Sequence, residues 1–386
     1  MYSNRGLSIL VQRSVEPIPI YEPEITTDDM RTVEEAIKSG WVSSKGSFID
    51  EFERKFASYI GKRYGVSTSS GTTALHLALL ALGIGKDDNV LVPSLTFVSP
   101  VNAILYCGAV PKFIDIDPEN WGIEPECIEK AIDSKTRAII AIHLYGNPCK
   151  IEQIQEIANR HNIPLIEDCA EAHGAEYRHK KVGLFGVISC FSFYGNKMIT
   201  TGEGGMCLTD DPLIMEKMRV LRDHGMSQSK KYWHDMVGYN YRMTNLQAAL
   251  GVSQLKRIDD LIERKRRIAS LYSEFLSNNP NITSHHDVHE DKRTFWLYTV
   301  LINGLDKEEF RDMTIDSLRK IGIETRPFFY PVHTMPTYSK YQKEKMTYTD
   351  SIWFRGISLP SGPLLKEDQI ELVSSALSDL CSKVTR

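Results

Sequence analysis

From about residue 64 to residue 209 the chain alternates short apolar, β-branched runs with stretches in which apolar residues recur every three or four positions. Gly65-Val66-Ser67-Thr68 precedes a helical pattern over 72–82, and Val90-Leu91-Val92-Pro93 and Pro111-Lys112-Phe113-Ile114-Asp115 follow as short strands. Ala138-Ile139-Ile140-Ala141-Ile142-His143 is almost wholly apolar, the signature of a strand covered on both faces. A helix over 151–160 and the strand Pro164-Leu165-Ile166-Glu167-Asp168 come next. Strands with helices between them predict βαβ units, a mostly parallel sheet and right-handed crossovers, and hence the α/β class. Helical spacing from residue 244 to about residue 276 predicts one long helix, a spine between two domains. Its run Glu263-Arg264-Lys265-Arg266-Arg267 reads as a solvated face. Beyond it, a strand over 295–302, a helix over 307–320, a further strand and a final helix from Lys366 predict a small α+β domain. Residues 1–25, with Pro17, Pro19 and Pro23, read as an extended arm. The expected division is an arm (1–25), a large domain (26–250) and a small domain (251–386) that opens with the long helix.

Composition narrows the function classes. Of 386 residues, 42% are hydrophobic and 25% charged, with a net charge of −4, so the basic excess of a nucleic-acid binder is missing. Apolar runs are short and interrupted, so no membrane-spanning helix is expected. The patch at residues 7–11 lacks a true apolar core and a small-residue cleavage site, which argues against a signal peptide. Seven cysteines are dispersed without a CxxC pair or zinc-type spacing, which fits reduced thiols in a cytoplasm and no metal centre. His285, His286 and His289 sit in a polar, Asn-rich stretch that reads as a solvated loop.

Candidate chemistry concentrates at the ends of strands. Lys197 follows the aromatic run Phe191-Ser192-Phe193-Tyr194 and precedes a Thr- and Gly-rich turn. An amine in a dry pocket there loses part of its basicity and becomes nucleophilic, a candidate to form a Schiff base with a carbonyl such as pyridoxal phosphate. An ordinary surface lysine at a strand end is the alternative. Ser69-Ser70-Gly71-Thr72-Thr73 lies between a strand and a helix, where free backbone amides and the helix dipole suit a phosphate. Ser and Thr there are equally ordinary N-caps. Asp168 ends a strand at the carboxyl edge of the expected sheet, placed to hold a pyridinium nitrogen or simply to cap a loop. Ser192 is within reach of the same edge.

Four segments together resemble a known family: Ser-Gly-Thr-Thr-Ala-Leu-His-Leu-Ala (70–78), Glu-Asp-Cys-Ala-Glu-Ala-His-Gly-Ala (167–175), Phe-Ser-Phe-Tyr-Gly-Asn-Lys-Met-Ile-Thr-Thr-Gly-Glu-Gly-Gly (191–205) and Gly-Tyr-Asn-Tyr-Arg-Met-Thr-Asn-Leu-Gln-Ala-Ala (238–249). In order and spacing they resemble the DegT/DnrJ/EryC1/StrS nucleotide-sugar aminotransferases over roughly residues 17–380. That resemblance implies fold type I, aspartate aminotransferase-like, with a seven-stranded large domain. It also implies a homodimer with shared active sites, which could pair into a tetramer, and pyridoxal phosphate (PLP/PMP) as cofactor. Lys197 matches the Schiff-base lysine, Asp168 the pyridinium partner, and Gly71, Thr72 and Ser192 the phosphate cradle. Asn240 matches an asparagine reaching the phosphate from the other subunit, with Arg242 as its competitor. Phe97 matches the aromatic that stacks on the cofactor ring, Glu171 a polar position beside it, and His173 either a site residue or a structural histidine. Segments 40–46, with Trp41, and 325–333, with Phe329 and His333, resemble the GDP-perosamine synthase branch. The resemblance therefore implies transfer of an amino group from L-glutamate to a nucleotide-linked 4-keto-6-deoxyhexose, in surface polysaccharide (O-antigen, lipopolysaccharide) biosynthesis in the cytoplasm. Other keto acceptors, a pyridoxamine-dependent 3-dehydratase and a non-catalytic relative are the alternatives. The dehydratase carries histidine where this chain has Lys197, and a non-catalytic relative would be expected to lack Lys197 or Asp168.

Overall fold

The computed structural model describes residues 16–227, 229–284 and 290–384. The expectations for residues 1–15 and for His285, His286 and His289 lie outside those residues. Strands β1 (Tyr64–Thr68), β2 (Asn89–Pro93), β3 (Val110–Ile114), β4 (Thr136–Ile142) and β5 (Leu165–Asp168) are followed by the small ribbon β6 (Glu176–Tyr177) and β7 (Lys180–Lys181), then by β8 (Ile188–Ser192) and β9 (Gly205–Thr209). Apart from the ribbon they form a seven-stranded sheet in the order β1-β9-β8-β5-β4-β2-β3. Pairings from β3 through β8 are parallel, whereas β9 runs antiparallel to both β8 and β1. The sheet is thus mixed at one side, and its central strands are buried on both faces as their apolar runs require.

Helices cover those faces: α1 (Thr27–Lys38), α2 (Ser47–Ile60), α3 (Gly71–Ala81), α4 (Ser99–Tyr106), α5 (Pro125–Ala131), α6 (Ile151–Arg160) and α7 (Pro212–Arg222). Leu75, Leu77, Ala78 and Leu79 of α3 meet Val66, Val92, Ile140 and Ile166 of the sheet in one core cluster. Phe52 and Phe56 of α2 meet Phe191 and Met206 in another. On one face α2 turns its apolar stripe to the sheet, and on the other α3, apolar nearly all round, is buried along most of its length.

The stretch expected to be one long helix is two, α8 (Asn245–Leu255) and α9 (Ile258–Leu276). The chain breaks at Arg257, whose backbone leaves the helical region at φ −122°, ψ 17°. Its guanidinium bonds the Glu24 carboxylate and carbonyl and buried Asp29 (2.8 Å) near the other end of the sequence. Helical periodicity runs through the break because it reports local spacing, and the partners that occupy Arg257 are far away in sequence.

A second sheet, in the order β10-β11-β13-β12, comprises β10 (Ile282–Ser284), β11 (Tyr298–Ile302), β12 (Arg326–Pro327) and β13 (Gly356–Leu359). Together with α10 (Glu308–Lys320), α11 (Thr347–Ile352) and α12 (Glu367–Val384) it follows α9 in the chain. The strand expected over 295–302 begins at Tyr298, because Phe295 adopts a left-handed φ of 49° and Trp296 turns back to donate its amide to the Tyr145 carbonyl. Among the described residues no helix is long and apolar enough to cross a membrane.

Candidate active site

Register brings the candidate residues to one edge of the large sheet. Asp168 ends β5 opposite Ile142 of β4 and Cys190 of β8, and Ser192 ends β8 opposite Gly205. Gly205 also faces Thr68, the last residue of β1, directly before the turn into α3. A Cβ on Gly205 would lie 2.2 Å from the Ser70 carbonyl oxygen, so only glycine lets that turn come so close. Ser70 caps α3: its hydroxyl accepts from the Thr73 amide at 3.2 Å, and the Thr73 hydroxyl accepts from the Ser70 amide at 3.0 Å. The amides of Gly71 and Thr72, in the first turn of α3, have no intrahelical acceptor. Gly71 stands so near Ser192 that a Cβ would meet the serine Cβ at 2.7 Å.

A cavity of about 780 Å³ opens over this edge, lined by Gly71, Thr72, Phe97, Asp168, Glu171, Ser192, Lys197 and Phe329 among others. Thr72 Oγ1 lies 2.8 Å from Ser99 Oγ. Lys197 Nζ sits 3.6 Å from Glu171 Oε1 and 3.7 Å over the Trp296 ring. Glu171 is fixed from the other side, where Oε2 accepts the Tyr145 amide at 2.8 Å. Burial pulls the Lys197 amine below its usual pKa, opposed by the charges of Glu171 and Asp168. The same burial pushes Glu171 up to about 7, opposed chiefly by Lys197, and raises Asp168, which accepts the Ala170 amide at 3.0 Å. An amine of lowered basicity and an acid that titrates near neutrality therefore stand within a few ångströms of each other.

The aromatic wall is built from residues far apart in sequence. Tyr145 stacks on Phe329 (5.2 Å, 13°) and Trp296 (6.0 Å, 11°), and Phe97 packs at 5.7 Å from Phe329. Two contacts hold the main chain at Lys197: Tyr21 Oη donates to the Lys197 carbonyl (2.8 Å), and Trp296 Nε1 donates to the Asn196 carbonyl (2.7 Å). Tyr21, Tyr145, Trp296 and the cavity-lining Arg326 are absent from the candidates read from sequence. Arg326 falls inside the segment 325–333 already set apart in the sequence, whereas nothing local in the sequence marks Tyr21, Tyr145 or Trp296.

Five candidates do not line the cavity. His173 is fully buried among the rings of Phe56, Phe191 and Phe193, and burial takes its pKa down to about 3, so its imidazole is neutral. His333 contacts Ser94 Oγ through Nδ1 and Asp350 through Nε2 (3.2 Å). Trp41 is exposed, and its carbonyl accepts from Asn245 Nδ2 at 2.7 Å. Asn240 Oδ1 accepts from Arg242 Nη2 (2.9 Å), and Arg242 also pairs with Asp223 (2.7 Å). Behind β5, the donor atoms of His143, Glu167 and Cys169 come within 4.8 Å of one another. Glu167 there already accepts the amides of Gly183, Phe185 and Gly186.

The donor set fits a phosphorylated pyridine aldehyde. Free amides at a helix N-terminus and the Ser192 hydroxyl suit a phosphate, a buried carboxylate suits a ring nitrogen, Phe97 offers a ring face, and Lys197 supplies the amine. Comparison with known proteins agrees. Residues 23–378 match the profile of the DegT/DnrJ/EryC1/StrS aminotransferase family. The chain is 47% identical over 371 residues to the GDP-perosamine synthase of Escherichia coli O157:H7, covering 95% of this chain and 99% of that one. Among solved structures, Helicobacter pylori PseC, an aminotransferase involved in the biosynthesis of pseudoaminic acid, superposes with a TM-score of 0.90 at 27% identity, covering 95% of this chain and 100% of its own. The PLP form of Spr1654 from Streptococcus pneumoniae gives a TM-score of 0.90 at 26% identity, covering 95% and 98%.

Proposed function

From the premise that this chain belongs to the DegT/DnrJ/EryC1/StrS aminotransferase family, with fold type I and PLP-dependent sugar aminotransferase activity, we propose that it moves an amino group from L-glutamate to a GDP-linked 4-keto-6-deoxyhexose. The product is then of the GDP-perosamine type. Similarity along nearly the full length of both chains to the Escherichia coli GDP-perosamine synthase carries the acceptor. The position of Lys197 Nζ beside Glu171, inside the cavity, supports the chemistry.

When bound, PLP supplies the electron-sink ring that makes an amino acid's Cα–H acidic. In the proposed arrangement Asp168 holds the ring nitrogen, and Gly71, Thr72 and Ser192 hold the phosphate. Phe97 covers one ring face. Lys197 Nζ would take the Cα proton of the donor and give it up at the cofactor's aldehyde carbon rather than back to Cα, a task suited to an amine whose basicity burial has lowered. Glu171 keeps a proton within reach of that amine near neutral pH. The walls of Tyr145, Trp296 and Phe329 keep water from the reacting atoms. Asn240 and Arg242 are proposed to serve the cavity of a second copy in a homodimer. Trp41, Phe329 and His333 are proposed to shape the acceptor site, and His173 to set the aromatic layer beneath Lys197. A cytoplasmic location and the division into a large domain (26–250) and a small one (251–386) belong to the same reading.

The test is direct. Purified protein given L-glutamate and GDP-4-keto-6-deoxymannose should yield 2-oxoglutarate and a GDP-amino sugar of matching mass, and UDP- or dTDP-linked keto sugars should be turned over more slowly. Equal turnover of the three nucleotides would remove the GDP assignment while leaving the aminotransferase intact.

A further inference from the structure

We infer that Arg326 is the anion-recognising side chain of this cavity, taking an oxyanion of the substrate, carboxylate or phosphate, on its guanidinium fork. The inference rests on the aminotransferase reading above. It is carried by the charge inventory of the cavity wall. Within one copy, the cations among the described residues that line it are Lys197 and Arg326 alone, against the carboxylates of Asp168, Glu171 and Glu203, and the Arg242 proposed above to reach it from a second copy is paired with Asp223. Lys197 is occupied by Glu171 and by the Trp296 ring, and it is the reacting amine. Both proposed substrates are anions: L-glutamate brings carboxylates, and a GDP-linked sugar brings a diphosphate. Acidic groups outnumber basic ones on the wall, so an entering anion needs a fixed counter-charge.

The geometry suits the task. Arg326 opens β12, and the next three residues, Pro327, Phe328 and Phe329, also line the cavity. Its Nη2 pairs with the Glu324 carboxylate, and its Nη1 donates to the Thr325 carbonyl at 3.3 Å. Glu324 is anchored in turn by the Ile20 amide at 3.0 Å, so the guanidinium is held from behind. A guanidinium carries five N–H donors, and these two contacts leave most of them for a ligand. About half of the side chain is exposed (52%), as expected of a group that a substrate would cover. The planar fork matches carboxylate and phosphate oxygens in a way that a lysine ammonium does not.

The experiment compares wild-type holoenzyme with Arg326→Gln and Arg326→Lys. Calorimetry titrates 2-oxoglutarate and, separately, GDP, while absorbance follows bleaching of the bound cofactor by L-glutamate. If Arg326 takes the donor's carboxylate, Arg326→Gln raises the Kd for 2-oxoglutarate and the half-saturating L-glutamate by about 30-fold and leaves GDP unchanged. If it takes the diphosphate, the rise appears for GDP instead, and a rise in both arms means that the two half-reactions share the subsite. Arg326→Lys keeps the charge without the fork and should lose about 5-fold in whichever arm responds. That variant decides the matter if Arg326→Gln does not fold. Unchanged affinity in every arm overturns the inference. A wild-type protein that does not bleach with L-glutamate counts against the donor assignment alone, and the two calorimetric titrations still decide the role of Arg326.

Discussion

Lys265 and Lys197 are both held out of water, yet only one of them meets the cavity. Lys265, on α9, is 1% exposed and donates to the carbonyls of Trp296 (2.7 Å) and Ser361 (2.5 Å). Burial alone takes its pKa down to about 7. Lys197 is lowered by burial too, but Glu171 and Asp168 work against that, and its amine opens onto a cavity that can take a substrate. The low pKa is therefore common to both lysines and marks neither as reactive. What separates them is the company: two carbonyl oxygens that consume the donors of Lys265, against an ionisable acid and free space beside Lys197. The two are also joined structurally. Trp296 offers its carbonyl to Lys265 and its ring to Lys197, and Tyr21 lies 5.0 Å from Lys265 Nζ while its hydroxyl binds the Lys197 carbonyl.

The sharpest way to break the comparison is to exchange the losses. Lys197→Ala should lower turnover by about 10⁴-fold, read as 2-oxoglutarate released per enzyme, with little change in the unfolding midpoint. A variant that kept a tenth of the activity would erase the distinction between the two lysines. Lys265→Met should do the reverse, losing about 2–4 kcal/mol of stability because two buried carbonyls go unsatisfied. Here pH gives a sign. The folded-state pKa of Lys265 lies below its unfolded value of 10.5, so the folded protein favours the neutral amine. Stability tied to that amine is fully present above about 10.5 and is lost as pH falls toward about 7. The gap between wild type and Lys265→Met in urea unfolding should therefore be widest near the alkaline end, and a gap that grows on acidification would break the account.

The smallest expected effect falls on Glu171. Glu171→Gln removes a carboxyl that titrates at about 7, so the limb of the pH–rate profile near neutrality should flatten, with kcat changing by about 10-fold or less. Its stability sign is opposite to that of Lys265. A raised carboxyl pKa favours the protonated folded state below the unfolded value of 4.5, and that contribution disappears as pH rises through about 7. Urea unfolding at pH 5 and pH 8 should therefore show Glu171→Gln gaining on wild type at the higher pH.

Much of the site was legible because its pieces are local. Lys197 after an aromatic strand, Asp168 at a strand end and Ser70-Gly71-Thr72 before a helix each declare themselves within a few residues, and the cavity includes them. His173 and His333 sat in equally suggestive motifs, yet the first lies in an aromatic cluster and the second between Ser94 and Asp350. A motif fixes a side chain's neighbourhood along the chain, and only packing decides which face of a strand or turn it occupies. The break at Arg257 was hidden for the same reason, since Glu24 and Asp29 stand more than 200 residues earlier.

Residue order and periodicity, which act over one or two turns of chain, were enough to predict the alternating strands and helices and to single out the turn at 70–72, Asp168 and Lys197, all of which line the cavity. Closing long loops was needed to bring Tyr21, Tyr145, Trp296 and Arg326 around that lysine, and to bury Lys265 behind them while leaving Lys197 open. No local rule encodes those meetings. They arise because burying aromatic and aliphatic surface between sheet and helices outweighs the entropy of closing the intervening chain.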